Sequence, residues 1–383
     1  MEGENDYRPE LAAGEAQNSA CPKSPVADIL AGVKIFPKSR KGRARRFRRM
    51  VGWALLTLVG INISLAVMID QFRPDIRDPE YQQVADALRA RTTEDPDARL
   101  ILFLGSSRVA LGVDAKQITE PGRIVFNFGM PGAGPFMMDV YWDRLQASGV
   151  RPDVVFVEFM HPFYNDTSSR TLDHSYLDAS RLSVQEARTL VGYGNRSTGA
   201  LRRMAIARLF PAGRHGPDLC EAIGLGALNT GTAKDPLQGK LDLFGGRALD
   251  VPPEKRDDMR GLAHKQYDPF YPDFSLAHDP AERLKQLLRK VRQSGATVKI
   301  LLTPEGSEFR VMMSPEMAKA INEFMAKLEA EFDVEILDAR DWMPDSAFYD
   351  QHHLLPSGGK LFAEQLRPHL DPLRRKPCDK MPR

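Results

Sequence analysis

Three side chains with complementary chemistry lie beside predicted elements that are distant in the sequence. Ser107 follows an apolar, strand-like run, and Asp350 and His353 come shortly before the last predicted helix. An imidazole can take the proton of a serine hydroxyl, and a carboxylate three residues away can fix the tautomer of that imidazole. These residue types therefore predict nucleophilic acyl-transfer chemistry. Ser107 could instead cap a helix. His353 could be a helix-start or surface histidine, and the neighbouring His352 competes with it for the role of base.

Strands and helices alternate in the part of the chain that would position these residues. The predicted strands are 99–104, 123–128, 153–159, 297–303 and 334–337, and the predicted helices are 135–148, 280–294, 315–332 and 357–370. This alternation predicts an α/β fold, a flavodoxin-like three-layer sandwich with a parallel five-stranded sheet. Ligands of such sheets bind at the carboxyl ends of the strands, where we expect the three side chains to meet.

Residues 165–278 interrupt this alternation after the third predicted strand. They contain a helical stretch at 184–209, followed by Gly- and Pro-rich sequence. An insertion of this length is too long for a loop, so we expect a helical subdomain or lid over the carboxyl edge of the sheet. Four aromatic residues near its end either pack in a core or stack against a carbohydrate: Tyr267, Phe270, Tyr271 and Phe274.

The N-terminal region combines a basic cluster with an uncharged apolar segment. Residues 38–49 include 8 Lys and Arg in 12 positions, and residues 50–69 carry no formal charge. A helix of about twenty residues extends about 30 Å, which is the thickness of the hydrocarbon core of a membrane. A buried helix would show a polar face, and a cleaved signal peptide has a shorter apolar run. Because a basic flank stays in the cytoplasm, the segment is predicted to be an uncleaved signal anchor.

These features divide the chain into five parts and predict their location in a bacterial cell. The parts are a flexible basic cytoplasmic tail (1–49), a transmembrane helix (50–69), a membrane-proximal helix or linker (70–97), the α/β domain with its insertion (98–375) and a C-terminal tail (376–383). We expect a single-pass protein of the inner membrane, with its N-terminus in the cytoplasm and the α/β domain in the periplasm.

Composition and motifs argue against several other classes of protein. The 53 Lys and Arg against 51 Asp and Glu leave a net charge of +2, so no basic field over the whole chain favours nucleic acid. Cys21, Cys220 and Cys378 are too scattered for a disulfide framework or a cysteine zinc site. The sequence after the first strand lacks the glycine-rich pattern of a phosphate-binding loop. We therefore expect no metal, no cofactor and no nucleic-acid partner.

Three short blocks of sequence resemble the SGNH (GDSL-type) hydrolase superfamily. They are GSSR at 105–108, NFGMPG at 127–132 and DQHHL at 350–354, which match the superfamily blocks GDS, NxGxxG and DxxHL. The resemblance covers roughly residues 99–370 with the insertion set aside. GSSR, together with TPEGSEFR at 303–310, is also similar to membrane-anchored members associated with acyl modification of cell-surface polysaccharides.

The resemblance implies a role for each matching residue. Ser107 would be the nucleophile, His353 the general base, and Asp350 the carboxylate that orients the imidazole. The backbone amides of Ser107 and Gly132 would hold the oxyanion.

A fourth block departs from the superfamily pattern. The third strand of the superfamily usually leads into GxND, whose Asn donates to the oxyanion, but here Pro162 stands at that place. His161 or Asn165 could take over as donor, or the oxyanion hole is incomplete. Arg108 could clamp a substrate or form a structural ion pair, and Glu305 could bind a sugar hydroxyl or pair with a cation.

The resemblance and the predicted anchor together imply an extracytoplasmic serine enzyme, either an esterase or an O-acyltransferase, that acts on cell-surface or exported polysaccharide. Its implied partners are an acyl-ester donor with a glycan acceptor, or an ester substrate, and a membrane-bound acyl-transfer partner. The anchor favours the transferase because it holds the site near membrane-bound donors. The alternative is a catalytically inactive SGNH-like module that binds a glycan or scaffolds a membrane complex, and Pro162 favours that alternative.

Overall fold

The computed structural model describes residues 40–166, 171–193, 198–222, 224, 240–271 and 274–371 of the 383-residue chain. The predicted tail at 376–383, and residues 1–39 of the predicted cytoplasmic tail, lie outside the described residues. From Val59 onward the described residues belong to one compact unit, whereas the helical residues up to Leu58 belong to a separate unit.

A parallel sheet of five strands forms the centre of the second unit. The strands of the described residues are β1 (Arg99–Gly105), β2 (Arg123–Gly129), β3 (Val154–Glu158), β4 (Lys240–Leu241), β5 (Arg247–Ala248), β6 (Thr297–Leu302) and β7 (Glu335–Asp338). The sheet has the order β2-β1-β3-β6-β7, and β4 and β5 form a separate antiparallel pair. This is the strand order of flavodoxin-like folds, so the predicted fold class is confirmed.

The strands of the sheet are buried because their sequences are nearly continuous apolar runs. All five residues of β3 are buried, for example. Gly105 and Gly129 are register partners at the ends of β1 and β2, so the chain leaves both strands at the same edge of the sheet. A side chain at Gly105 would overlap Val109 and Glu158, which explains why a glycine separates β1 from the helix that follows.

Helices cover both faces of the sheet. In chain order the described helices are α1 (Arg40–Gln71), α2 (Pro74–Arg77), α3 (Pro79–Glu94), α4 (Ser107–Gly112), α5 (Ala115–Ile118), α6 (Pro135–Ala147), α7 (Leu172–Tyr176), α8 (Val184–Arg188), α9 (Thr198–Leu209), α10 (Pro211–Ala222), α11 (Pro253–Tyr267), α12 (His278–Gln293), α13 (Ser307–Val311), α14 (Pro315–Phe332) and α15 (Pro356–Leu366). The apolar sides of α3, α6, α12 and α14 form one core with the sheet, and those of α4, α5 and α15 form the other. The three-layer arrangement therefore matches the prediction.

Helix α1 contains the predicted transmembrane segment. Its residues 42–71 form a helix that is long and apolar enough to cross a membrane, judged by length and composition. Most apolar side chains between Met50 and Val67 are exposed. A membrane anchor and a signal sequence share these properties.

The predicted insertion corresponds to the chain between β3 and α12. Its described part contains helices α7 to α11 and the short β4–β5 pair. A 3₁₀ turn at His161–Tyr164 leads out of β3 into this region. Helix α11 returns the chain to the carboxyl edge of the sheet, beside the residues after β1 and β2.

Candidate active site

A sharp turn from β1 into α4 places Ser107 at the edge of the sheet. Ser106 is the residue before the helix, and its side chain accepts a hydrogen bond from the backbone N–H of Arg108 at 3.2 Å. The Ser106 backbone N–H donates to Glu158 Oε2 at 2.5 Å. These two bonds fix the turn, so Ser107 becomes the first residue of α4.

The structure places Ser107 and Asp350 each within hydrogen-bond distance of the His353 ring. Ser107 Oγ lies 2.8 Å from His353 Nε2, and His353 Nδ1 lies 2.7 Å from Asp350 Oδ2. Because a carboxylate only accepts hydrogen bonds, it favours the proton on Nδ1 and leaves the Nε2 lone pair facing the serine hydroxyl. This is the geometry that a serine nucleophile and its general base require.

The loop that carries Asp350 and His353 is held in one conformation. Asp350 Oδ1 accepts hydrogen bonds from the backbone N–H groups of His352 at 2.9 Å and His353 at 2.6 Å. Gln351, which lies between Asp350 and His352 in the sequence, has a φ of +65°, in the left-handed region that residues other than glycine seldom occupy. The ring of Tyr349 stacks on the His353 ring with a centroid distance of 5.5 Å. Backbone strain of this kind is common where a loop must orient reactive groups.

A cleft of about 330 Å³ opens above the serine. Its lining residues include Gly132 from the loop after β2, with a φ of +74°. A Cβ at this position would lie 3.0 Å from the ring of Tyr176, so the tyrosine closes over the Gly132 turn. Hydrogen bonds from Met130 N–H to Gly105 O (2.8 Å) and from Ala133 N–H to Met130 O (2.9 Å) hold this turn beside β1.

Helix α11 of the insertion forms the opposite wall of the cleft. Its contribution is mostly apolar or uncharged: Met259, Leu262, Ala263, Gln266 and Tyr267. The Gln266 side-chain amide donates to the hydroxyls of Tyr176 and Tyr267, the latter at 3.0 Å. Of the four aromatic residues that the sequence singled out, Tyr267 lines the cleft, and the other three lie in or against the hydrophobic core.

Apart from Tyr267, neither the residues of this wall nor Tyr176 opposite them were singled out from the sequence. These residues lie in the insertion, where no strand end marks them as neighbours of the sheet edge. The mixed sequence of α11 contains charges on most of its turns. Only the tertiary packing of α11 shows which side of the helix faces Ser107.

Arg108 and His161 do not line the cleft. Of the two roles that the sequence left open for Arg108, the structure shows the ion pair and not the substrate clamp. The Arg108 side chain points into the protein and its Nη1 lies 2.9 Å from Glu305 Oε1. His161 Nδ1 lies 3.5 Å from the same carboxylate oxygen, and its ring meets the Tyr271 ring edge to face. Glu305 is therefore paired with the buried Arg108 guanidinium, not presented to a sugar. All three side chains are buried because α4, the turn after β3 and the loop after β6 direct them behind the cleft.

Burial sets the protonation of the two histidines nearest to this ion pair. Burial lowers the pKa of His161 to about 4; the Glu305 carboxylate opposes that shift and Arg108 adds to it. Burial, with the charge of Arg108, also lowers the pKa of His352 well below its ordinary value. The pKa of Glu305 would be raised by burial, but His161, Arg108 and Arg340 together hold it below its ordinary value. The cluster therefore contains an ionised Glu305 and neutral histidines near neutral pH.

Asn165 also lies away from the cleft, so the structure does not support it as an oxyanion donor. Its Nδ2 donates to the carbonyl of Phe270 at 2.8 Å, and its Oδ1 accepts from the N–H of Ser275 at 2.9 Å. The side chain is fully buried. Asn165 therefore connects the two ends of the insertion, because both of its bonds reach the segment that returns to α12.

No group of three or more His, Cys, Asp or Glu side chains within the described ranges is arranged to hold a metal ion. His352, which neighbours the proposed base, is buried against the Tyr267 ring at a centroid distance of 4.0 Å. Neither of its ring nitrogens has a hydrogen-bond partner among the residues that the structure describes. The geometry thus distinguishes His353, which reaches Ser107, from His352, which does not.

Comparison with known proteins adds similarities of two kinds. A family described as "Protein of unknown function (DUF1574)" matches residues 66–204, which is less than half of the chain. A candidate acylhydrolase from Bacteroides fragilis is similar in structure, with 9% identity, a TM-score of 0.33, and coverage of 75% of this chain and 96% of that one. A catalytic mutant of Axe2, an acetylxylan esterase from Geobacillus stearothermophilus, has 11% identity, a TM-score of 0.33, and coverage of 71% and 94%. No curated protein matches the chain.

Proposed function

We propose that this chain is an SGNH-type serine acyl-transfer enzyme, an esterase or O-acyltransferase, held at the extracytoplasmic face of a membrane. The observation that carries the proposal is the relay from Ser107 Oγ to His353 Nε2 (2.8 Å) and from His353 Nδ1 to Asp350 Oδ2 (2.7 Å). Ser107 and the loop that carries Asp350 and His353 are more than 240 residues apart in the chain, and folding alone does not require their side chains to meet in this order at the bottom of a cleft. Their meeting gives the serine a base and gives the base a fixed tautomer.

In the first half-reaction, Ser107 Oγ attacks the carbonyl carbon of an ester and its proton passes to His353 Nε2. The carbonyl oxygen becomes an oxyanion, which the backbone amides of Ser107 and Gly132 would stabilise; each such donor typically contributes about 10²–10³ in rate. His353 then gives the proton to the departing alkoxide as the bond to the leaving oxygen breaks. The product is an acyl ester on Ser107.

In the second half-reaction, a hydroxyl takes the acyl group from Ser107. His353 Nε2 accepts the proton of the incoming hydroxyl, whose oxygen forms the new bond to the acyl carbon. The proton then returns to Ser107 Oγ as the serine leaves. Water as the acceptor makes the chain an esterase, and a sugar hydroxyl makes it an O-acyltransferase.

The walls of the cleft suit an ester of a carbohydrate. The aromatic rings of Tyr176 and Tyr349 and the side-chain amide of Gln266 line the cleft. Aromatic rings and amides are the groups that stack on and hydrogen-bond to sugars in mostly apolar sites. The substrate proposed is therefore an acyl ester on a cell-surface or exported polysaccharide, or a glycan hydroxyl that receives the acyl group.

Helix α1 supports the proposed location. The basic residues at 38–49 would keep the N-terminus in the cytoplasm, so a helix that crosses the inner membrane would place the α/β unit in the periplasm. A fixed position beside the membrane favours transfer over hydrolysis, because donors carried by a membrane-bound partner would reach the cleft directly.

The test is covalent labelling of the full chain in detergent with a fluorophosphonate, together with turnover of 4-nitrophenyl acetate. We expect wild type to be labelled and to turn over the ester, and Ser107→Ala to do neither. Ser357→Ala is the matched control, because Ser357 is an exposed serine on α15 and should behave as wild type. Absence of labelling in folded wild type would favour the non-catalytic scaffold instead.

Hydrolysis and transfer are separated by adding an unacetylated oligosaccharide to the same assay. A transferase forms an acetylated oligosaccharide, detected by mass spectrometry, at the expense of free acetate. An esterase releases acetate whether or not the oligosaccharide is present. Both activities should disappear in Ser107→Ala, because both pass through the same acyl-serine.

A further inference from the structure

Helix α9 is apolar on two sides, although it packs on the protein with only one of them. Met204 packs against the hydrophobic core and Ala207 is buried. On another side, Ile206, Leu209 and the following Phe210 are exposed, and Ile206 is 49% exposed. Residues three and four positions apart share one side of a helix, so these three form a continuous exposed patch. We call Ile206, Leu209 and Phe210 the α9 patch.

The buried side of α9 contacts the last turns of α1. Ala66 and Ile69 of α1 line a small crevice together with Met204, Ala207 and Pro211. Ile69 is buried, unlike most apolar residues earlier in α1. These contacts lie within one compact unit, because that unit includes α1 from Val59 onward.

Asp70, near the end of α1, forms ion pairs with Arg208 on α9 and with Arg77 on α2. Its carboxylate lies 2.9 Å from Arg208 Nη1 and 3.4 Å from Arg77 Nη1. Arg208 Nη2 also donates to the carbonyl of Leu182 at 2.9 Å. Arg208 immediately precedes Leu209 and Phe210 in the sequence. Because Arg208 binds Asp70, the α9 patch lies beside the end of the apolar segment of α1.

We propose that the α9 patch is immersed in the lipid headgroup and upper acyl region of the membrane that α1 crosses. The inference rests on the proposed membrane anchor. Ala66 precedes Asp70 by about one helical turn, or about 6 Å along the axis. If Ala66 lies within the bilayer, the part of α9 that contacts it must lie at the same depth. The neighbouring patch then meets lipid, not water.

The charges around the α9 patch fit a membrane surface. Arg202 and Arg203, one turn before Ile206, are exposed. Phe72, just after the apolar segment, is also exposed, and aromatic rings are favoured at the membrane interface. A helix with exposed apolar residues and arginines beside them matches the interfacial helices that bind anionic lipid. The occupant we infer is therefore an anionic bilayer surface.

The consequence is a fixed orientation of the α/β unit. A single transmembrane helix would allow the unit to tilt and rotate above the membrane. A second contact, through the α9 patch, would hold it in one pose. The cleft would then face the membrane-associated reactants at a constant angle.

The experiment uses the full chain in nanodiscs made of an equal mixture of phosphatidylcholine and phosphatidylglycerol. Single cysteines are introduced after the substitutions Cys21→Ser, Cys220→Ser and Cys378→Ser, and each is labelled with an environment-sensitive fluorophore. Quenching by a lipid that carries a nitroxide is then measured at Ile206→Cys. The matched control is Leu361→Cys, because Leu361 is also 49% exposed but lies on α15, on the other face of the sheet.

We expect quenching at Ile206→Cys to be several-fold stronger than at Leu361→Cys and close to that at Val59→Cys, inside the apolar segment of α1. Equal quenching at Ile206→Cys and Leu361→Cys, with strong quenching at Val59→Cys, would overturn the inference and leave the anchor intact. Weak quenching at Val59→Cys would remove the anchor and this inference with it. Should Ile206→Cys fail to fold, Leu209→Cys gives the same decision.

Neither of these two quenching results would contradict the proposed acyl-transfer activity, which is measured separately by fluorophosphonate labelling of Ser107 in each variant. Labelling that persists while the patch stays in water would separate the enzyme from its proposed membrane pose.

Discussion

Arg108 and Glu305 form a buried ion pair directly behind Ser107, with 2.9 Å between Nη1 and Oε1 and with each side chain 2% exposed. Arg108 Nη2 also donates to the backbone carbonyls of Thr303 at 2.9 Å and Pro304 at 2.5 Å. The residue next to Ser107 is thus tied to the loop after β6. A charge buried in this way is stable only when its partners are in place.

The same loop holds the other half of the relay. The backbone N–H of Gly306 donates to the carbonyl of Gln351 at 2.8 Å, between Asp350 and His353. One loop therefore connects to Ser107 through Arg108 and to His353 through Gln351. This arrangement makes Glu305 a positioning residue for the proposed reaction.

Glu305→Gln should lower kcat more than it changes KM. The substitution leaves the Arg108 guanidinium without its anionic partner, which typically costs about 3–5 kcal/mol in the stability of a buried pair. A shift of the first turn of α4 by about 1 Å would cost about 10² in rate. The measurements are kcat and KM for 4-nitrophenyl acetate and the thermal midpoint of the full chain in detergent.

The control for Glu305→Gln is Asp86→Asn, which breaks the exposed pair of Asp86 with Arg89. An exposed pair is worth less than about 1 kcal/mol, so stability and kcat should both stay near wild type. A Glu305→Gln protein with a lowered thermal midpoint but an unchanged kcat would show that the buried pair is only structural.

Asp350→Asn should abolish most of the activity while preserving the fold. The amide can keep a hydrogen bond to the imidazole but can donate to Nδ1, which favours the tautomer with the proton on Nε2. That tautomer cannot accept the Ser107 proton, and the analogous change in a serine protease lowers kcat by about 10⁴. Ester turnover and fluorophosphonate labelling would both measure the loss of activity in Asp350→Asn, and thermal unfolding would show whether the variant is folded. Activity within a few-fold of wild type would remove Asp350 from the relay.

Asn165→Ala should destabilise the protein without a matching loss of kcat. The substitution deletes the bonds to the carbonyl of Phe270 and the N–H of Ser275, and each buried group left unsatisfied costs about 1–3 kcal/mol. An oxyanion donor would instead lose about 10²–10³ in kcat. The measurements are the thermal midpoint and the kcat per labelled active site, each compared between Asn165→Ala and wild type. A large fall in kcat at unchanged stability would restore Asn165 as a donor.

Strands and the residues at their ends were predictable from the sequence because burial on both faces leaves an unbroken apolar run. Ser107 follows such a run, and Asp350 and His353 share a short loop, so their convergence required only the strand order. Arg108 also follows a strand end, yet α4 turns its side chain inward, away from the cleft. That direction depends on the carboxylate of Glu305, which lies 197 residues away.

The wall formed by α11 could not be predicted for a different reason. The length of the insertion predicted a helical subdomain or lid over the carboxyl edge of the sheet, but the insertion has no strand pattern that indicates which of its residues face the cleft. Gln266 and Tyr176 meet there only after α7 and α11 have packed against each other. Long-range packing of this kind has no local signature in the chain.

Acidification should destabilise the protein between about pH 6.5 and pH 4, partly through His161. Burial lowers the pKa of His161 to about 4 in the folded state, whereas an unfolded histidine titrates near its ordinary value of about 6.5. Below about pH 6.5, His161 therefore binds a proton in the unfolded chain but stays neutral in the folded chain. For this group the free energy of unfolding then falls by up to about 1.4 kcal/mol per pH unit. Above about pH 6.5 the contribution of His161 to stability is constant.

Thermal midpoints of the full chain in detergent, measured between about pH 6.5 and pH 4, would give the slope of stability against pH, and His161→Phe should reduce that slope. The control is His278→Gln, because the His278 side chain is 84% exposed and is not part of the buried cluster. An equal slope in wild type and His161→Phe would show that other groups, such as the buried His352, carry the acid sensitivity.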